Sequence, residues 1–506
     1  MTTYNLSPSY SLAKDSDSTT NPAIGATWAH PTSGTEPPAG AVLVSVDGTV
    51  DGSYSSLTSA LASLPSDSST QIIFMYAGTY NEQVPAISRS GPVMIIGYTE
   101  SDPGKTYSTN QVTITQARGL SVSPLPVGHS NAETATIQTG STKIAMYNIN
   151  IINTENLDGS QSSYVTLAAS IYGNKIGFYG CSFIGWQDTL LTGATAGYQY
   201  YESSYIEGAI DFIWGYSKAY FKGCTIGAKR KSSAMTAQSR ASSSAAGGYI
   251  FDQCLFTAAP SATVDLTGGV YLGRPYSQYA LVVIKNSYLD DTIQPAGWKV
   301  WSTTDPRTGA ITFAEYNNEG PGNWENNAAA REGFGFATLL TSDTYPLSTV
   351  MDTTDWIDMT YWDEIQTPQG SGTTPVTNPT DYDGTMPPDG AFIVSKDAIE
   401  GKTTYSTIQS ALDALPVSSK TTAVVFIYPG TYDEQLIVSK AGTTIFLGYS
   451  TAPKDYTQNQ VTITHNVGVD TQADASNSDS ATVYATGNYF QAVNINFANT
   501  YGTAAK

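Results

Sequence analysis

The sequence predicts an all-β protein wound as a parallel β-helix, and three observations carry that prediction. Short runs of alternating apolar residues recur at 143–151, 177–184, 201–206, 219–226, 249–256 and 281–289, spaced about 20 to 33 residues apart, which suits one coil of a solenoid. Glycine and asparagine punctuate the runs, and 34 Tyr with 45 Gly make a composition of strands and polar turns. Two aspartates in apolar surroundings, Asp188 and Asp211, stand 23 positions apart (211 − 188), about the length of one coil. Coils stack about 4.8 Å apart, so this spacing sets the two carboxylates side by side. Insertions of variable length between runs favour coils over a β-sandwich, which short strands alone leave open as the minor alternative.

Residues 1–40 are rich in Ser, Thr, Pro and Ala and read as a flexible N-terminal arm. Ordered chain is expected from residue 41, with 41–46 as a first strand. Residues 54–64 place Leu57, Ala60, Leu61 and Leu64 at helical spacing, an amphipathic helix suited to capping the open end of the solenoid. Strand runs follow at 71–76, 92–97 and 111–115. Cys181, Cys224 and Cys254 fall in similar local frames, which predicts buried thiols stacked in a ladder rather than disulfides. Residues 303–365 lose the pattern and are expected to finish a first domain, 41–365, as a tail along its side. Residues 366–390 read as a linker.

After residue 390 the chain starts over. Tyr428-Pro-Gly-Thr-Tyr-Asp-Glu-Gln435 answers Tyr76-Ala-Gly-Thr-Tyr-Asn-Glu-Gln83, an offset of 352 (428 − 76). Asn459-Gln-Val-Thr-Ile-Thr464 answers Asn110-Gln-Val-Thr-Ile-Thr115, an offset of 349 (459 − 110). Residues 391–506 are therefore expected to form a second, incomplete β-helix module, prone to aggregate in isolation through its unpaired edge. They contain no counterpart of Asp188, Asp211 or Arg274.

The chemistry concentrates in 177–215. A carboxylate buried without a partner costs several kcal/mol, so each aspartate in this stretch is either a turn residue capping a strand or part of a site. The pair, one coil apart and with Gln187 alongside, favours a site. Four segments resemble, in order, the GYQDTL, G-[TA]-[VI]-DFIFG, YLGRPW and AGW motifs of the pectin methylesterase (pectinesterase) family. They are Gly185-Trp-Gln-Asp-Thr-Leu190, Gly208-Ala-Ile-Asp-Phe-Ile-Trp-Gly215, Tyr271-Leu-Gly-Arg-Pro-Tyr276 and Gly297-Trp298. The resemblance spans about residues 40–360, is nearest to fungal-type members, and returns after 390 as a truncated second tandem module. It implies a right-handed parallel β-helix that hydrolyses methyl esters of polygalacturonate to pectate and methanol. In that family Asp211 would be the nucleophile, Asp188 the general acid and then base, Gln187 an oxyanion donor, and Arg274 the arginine that orients the nucleophile; otherwise Arg274 is a surface arginine before a turn proline.

Trp298, Tyr276, Trp186 and Phe212 lie in or beside the motifs and are expected to line a substrate groove. Tyr276 stands where the family carries Trp, which leaves a stacking face of smaller area. One departure touches the chemistry. The family's QAVAL glutamine, sixteen residues before the position of Cys181, is Val165 here, and Gln161 lies four residues earlier. Losing one oxyanion donor costs about 10²–10³ in rate. A slow enzyme, or one that uses another donor, is expected.

The residue types agree with this chemistry on their own terms. Two carboxylates one strand spacing apart cannot both ionise easily, and an arginine beside one keeps that one charged. The result is an ionised nucleophile and a protonated acid from one residue type, enough for ester hydrolysis through an acyl-enzyme. Other classes fit poorly. A net charge of −20 disfavours nucleic acid and anionic membrane surfaces, and no apolar run reaches a membrane-spanning length. Three His and three Cys without CxxC or HExxH spacing give no basis for a metal site, so no cofactor is expected. A monomer acting on pectin outside the cell is the expectation the resemblance supplies. The first 25 residues lack a basic n-region and an apolar h-region, so a mature or internal piece, or a late start, is expected. The competing readings are a catalytically impaired pectin-binding homologue and a Ca²⁺-dependent pectate lyase, the latter without a visible carboxylate cluster.

Overall fold

The computed structural model describes residues 29–46, 50–120, 130–140, 143–368, 384–388, 391–399, 404–415, 423–439, 443–453, 455–468, 477–486 and 489–502. The expected N-terminal arm lies outside them as far as residue 28, and the expected linker lies outside them at 369–383 and 389–390. The chain divides into two compact units, Met1–Gly370 and Ser371–Lys506.

In the first unit three parallel sheets wind around one apolar core. Among the described residues an 11-stranded sheet runs from Val42–Val44 to Ala337–Leu339, an 8-stranded sheet from Gly78–Asn81 to Tyr288–Leu289, and a 7-stranded sheet from Val84–Ile87 to Tyr271–Gly273. A full coil contributes one strand to each sheet, and at the two ends of the helix only the first sheet is extended, so residues one coil apart stack. The core shows it directly: Phe178, Tyr201, Phe221 and Phe251 lie in register and stack ring on ring at 5.1, 4.7 and 4.4 Å. The chain is a parallel β-helix.

The corner between the first and second sheets is a single residue in the left-handed region. Asn148, Gly180, Ser203, Gly223, Gln253, Asn286 and Asn317 occupy it on successive coils, with φ between 46° and 61°. That conformation is inexpensive for Gly and tolerable for Asn, which explains the Gly and Asn punctuation of the sequence. The next residue points inward. Cys181, Cys224 and Cys254 take that place, fully buried and unpaired, but the expected ladder of thiols is interrupted. Ser204 stands between Cys181 and Cys224, and its hydroxyl accepts from the Cys181 amide at 3.0 Å.

The expected cap helix is Leu57–Ser63, shorter than the periodic stretch, with Ser56 as N-cap accepting from Ser59 N. Leu57 and Ala60 plug the first coil. Glu82 holds the helix from across the coil, its two oxygens accepting from Leu57 N (2.8 Å) and Thr58 N (3.0 Å). This explains the Gly-Thr-Tyr-Asn-Glu-Gln motif: the Tyr80 hydroxyl donates to the Tyr76 carbonyl, Glu82 caps the helix, and Gln83 donates to the carbonyls of Glu133 and Ala135. In the second unit the repeat reproduces each contact. Helix Ile408–Asp413 is capped by Thr407 and by Glu434 on Ile408 N and Gln409 N, Tyr432 donates to the Tyr428 carbonyl, and Gln435 to those of Asp479 and Ala481. That unit carries parallel sheets of 5, 3 and 2 strands among the described residues.

Residues 303–365 are more regular than their sequence suggests. Thr312–Tyr316 and Ala337–Leu339 extend the first sheet by two strands. Beyond them Leu347, Val350, Met351, Trp356 and Ile357 cover the outer face of that sheet, against Tyr147, Tyr179, Tyr200 and Tyr220. The first sheet is thereby buried on both faces, as all-parallel sheets generally are.

Candidate active site

The site lies at the bend between the second and third sheets. Asp188 falls between strands Ser182–Ile184 and Leu190–Thr192, and Asp211 falls between Tyr205–Gly208 and Ile213–Gly215. Leu190 pairs with Ile213, so the aspartates are in register on adjacent coils. Both have left-handed backbones, φ 63° and 47°, a conformation concentrated at functional sites in residues other than glycine. Gly208 permits the bend before Asp211, since a Cβ there would lie 2.3 Å from the Phe212 Cβ.

Arg274 follows the third-sheet strand Tyr271–Gly273, two coils beyond Asp211. Its side chain reaches back past the intervening coil, where Ala234 and Ala237 are small. Nε donates to Asp211 Oδ1 at 2.9 Å and Nη2 to Oδ2 at 2.5 Å, a bidentate pair. The guanidinium also lies over the Trp301 ring, 4.1 Å from its centroid. Gly273 is needed here, because a Cβ would meet the Thr236 hydroxyl at 2.2 Å.

Both aspartates are almost fully buried, 7% and 6% exposed. Burial pushes the Asp188 carboxyl up to about 8, with the negative charge of Asp211 adding to it, and hydrogen bonding from Asn131 and the charge of Arg274 pull against the rise. Burial also raises Asp211, opposed by the hydrogen bonds and charge of Arg274. The pair is thus differentiated by one arginine: Asp188 holds a proton up to about pH 8, while the Arg274 fork limits the burial-driven rise at Asp211. Gln187 is half-buried; Ser163 donates to its Oε1 at 3.1 Å, so its amide nitrogen is left for the Asp188 side.

A folded-state value near 8 for Asp188, against about 3.9 in an unfolded chain, costs stability. Below pH about 4 both states are protonated; between that and pH 8 the unfolded state releases a proton that the folded state retains, and folding weakens. Asp188→Asn removes this cost. Its melting temperature should exceed the parent's at pH 8, by about 2–4 °C or more, and match it at pH 4. Equal thermal unfolding at both pH values would mean that Asp188 is not held protonated.

The groove aromatics differ from expectation. Trp298 is 1% exposed; its Nε1 donates to Glu315 Oε1 at 3.0 Å and its ring stacks on Phe313. Phe212 is fully buried in the coil interior. Neither offers a face to a ligand: the left-handed bend at Asp211 turns the next side chain inward, and Trp298 closes the core above Gly273. Trp186 is largely covered, with residue 159 against its ring edge and Lys229 over its face at 5.6 Å. Tyr276 does remain half-exposed, within 6.5 Å of Trp214, Tyr216 and Trp301. Trp214 donates through Nε1 to the Asp188 carbonyl at 3.1 Å.

The structure adds residues that the sequence reading missed: Asn131, Trp214, Trp301 and Ser163. Trp214 and Trp301 stand within three residues of named positions and were within reach of the motifs. Asn131, 57 residues before Asp188, lies in a turn that the second unit repeats at Asn477–Ser480, where no counterpart of Asp188 follows. Val165 lies in register with Gln187, through isolated bridges that align Val165, Gln187 and Ile210. It packs with Ala135, Leu167 and Leu191 and supplies no donor. Gln161 is exposed, its backbone held by Asn156.

The Pectinesterase family model matches residues 41–347 and 392–506. A pectinesterase of Aspergillus niger is 38% identical over 330 residues, covering 64% of this chain and 92% of the relative. A pectinesterase of Aspergillus aculeatus is 37% identical over 344 residues, covering 67% of this chain and 98% of that protein. Among solved structures, the pectin methylesterase from Aspergillus niger superposes with a TM-score of 0.55 at 35% identity, over 65% of this chain and 99% of that one.

Proposed function

Because this chain belongs to the pectinesterase family, we propose that its first unit hydrolyses pectin methyl esters by covalent catalysis at Asp211. The single observation that carries this mechanism is the asymmetry of the aspartate pair, with Arg274 gripping Asp211 and leaving Asp188 to retain its proton. The Asp211 carboxylate attacks the ester carbonyl carbon of a galacturonate unit, and the amide of Gln187 stabilises the oxyanion. The tetrahedral intermediate collapses as Asp188 gives its proton to the leaving oxygen, releasing methanol and an acyl-enzyme anhydride on Asp211. Asp188, now a carboxylate, takes a proton from water as that water attacks the anhydride. The anhydride breaks to free the Asp211 carboxylate and a uronic acid, which gives its proton to solvent as it leaves, and both aspartates are back in their starting states.

The half-exposed rings of Tyr276, Trp214, Tyr216 and Trp301 suit stacking on pyranose faces. Trp298 and Phe212 act from below, as core. Action outside the cell and as a monomer belongs to the same proposal.

Val165 favours one alternative, a homologue that binds pectin without turning it over. Methanol release from highly methylated pectin, followed with base uptake, separates the two. Turnover above the uncatalysed rate supports the esterase, and saturable binding without methanol supports the alternative. All residues invoked lie between 131 and 301, so a chain shortened to end at Gly370 should keep full activity, and 391–506 alone should have none. A shortened chain that folds but loses activity would mean that the second unit completes the site.

A further inference from the structure

The Asp188 backbone is held by its own N–H, which donates to the Ile210 carbonyl, and by Trp214, which donates to the Asp188 carbonyl. Its side chain is buried, and the carboxyl takes hydrogen bonds from Asn131 and Gln187. The coil position that aligns with Gln187 carries Val165, which has no polar atom to offer. A different segment enters instead. The 3₁₀ turn Asn131–Thr134 brings Asn131 Nδ2 to 2.8 Å from Asp188 Oδ2. Ala132 packs against the cluster that includes Val165, seating the turn on the place where the amide is missing. Thr134 locks the turn by donating to the Asn131 carbonyl at 2.9 Å.

An amide N–H donates, so Oδ2 must be the accepting oxygen of the carboxyl. The exchangeable proton of a neutral Asp188 then resides on Oδ1. We propose that Asn131 is a positioning residue for the acid–base step: it fixes Oδ2 as acceptor and presents the Oδ1 proton to the leaving oxygen. This rests on Asp188 being the general acid. The charged groups around Asp188 are Asp211 on the next coil and Arg274, with Glu133 on the turn that carries Asn131.

The Asn131 bond favours the ionised form of Asp188. Its loss leaves the carboxyl protonated to higher pH, so the alkaline limb of kcat/KM, set by loss of the acid proton, moves upward. Asn131→Ala should therefore shift that limb by about 0.5–1 pH unit, the scale of one hydrogen bond, and lower kcat/KM on methylated pectin about 10- to 100-fold at pH 7. Asn131→Ser, which keeps a shorter donor, should lie between it and the parent. Circular dichroism and thermal unfolding establish that each variant is folded. A folded Asn131→Ala chain slowed equally at all pH values, with the limb unmoved, would overturn the assignment and leave Asn131 as loop structure. Failure of the underlying reading looks different: Asp188→Asn would then keep activity and the parent's alkaline limb.

Discussion

Asp211→Asn is expected to lose at least about four orders of magnitude in kcat, the scale of removing a nucleophile whose partners cannot substitute for it. Asn is the better first variant, because position 211 has φ 47° and Asn accepts the left-handed region where Ala costs about 1–2 kcal/mol. It also retains an oxygen for the Arg274 fork, now one bond instead of two. An amide oxygen cannot form the acyl-enzyme, so the covalent route closes while the groove stays intact. Asp211→Ala should be equally inactive. Base uptake on methylated pectin measures the effect. Activity of a folded variant within tenfold of the parent would show that another group attacks the ester.

The pair could be located in the sequence because coil length is written into the chain. Where strands stack at fixed spacing, a separation of 23 residues places Asp188 beside Asp211 without any coordinates. The cap helix and the repeat of the domain's beginning were legible for a related reason: both rest on local patterns, and the Glu82 and Glu434 contacts turn out to be the same device used twice. Which way a side chain faces was harder. Trp298 and Phe212 sit in motifs next to the chemistry, yet parity around a left-handed bend sends both into the core. The cysteine frames were real but Ser204 fills the intervening coil, because variable insertions hide one rung of the ladder. Asn131 was legible as part of the repeat, in a turn matched by Asn477–Ser480, but its contact with Asp188 was not, because the two meet only in the folded coil.

Arg274→Ala is expected to cost about 10²–10³ in kcat/KM near pH 6, with part of the loss recovered as pH rises. The argument is electrostatic. Asp211 is 6% exposed, and burial alone drives its carboxyl toward the neutral form. The bidentate guanidinium is the main opposing influence, with Lys299 a more distant one. Without Arg274 the Asp211 pKa rises further, and because attack requires the carboxylate, the acid limb of the rate profile must move to higher pH. Arg274→Lys restores a charge but loses the fork and the planar stack on Trp301, so its limb should fall between alanine and parent. The direction also separates this residue from Asn131: Arg274 governs the acid limb through Asp211, and Asn131 the alkaline limb through Asp188. An Arg274→Ala profile with an unmoved acid limb would mean that Asp211 is ionised by some other means, and that the salt bridge holds the coils together rather than preparing the nucleophile.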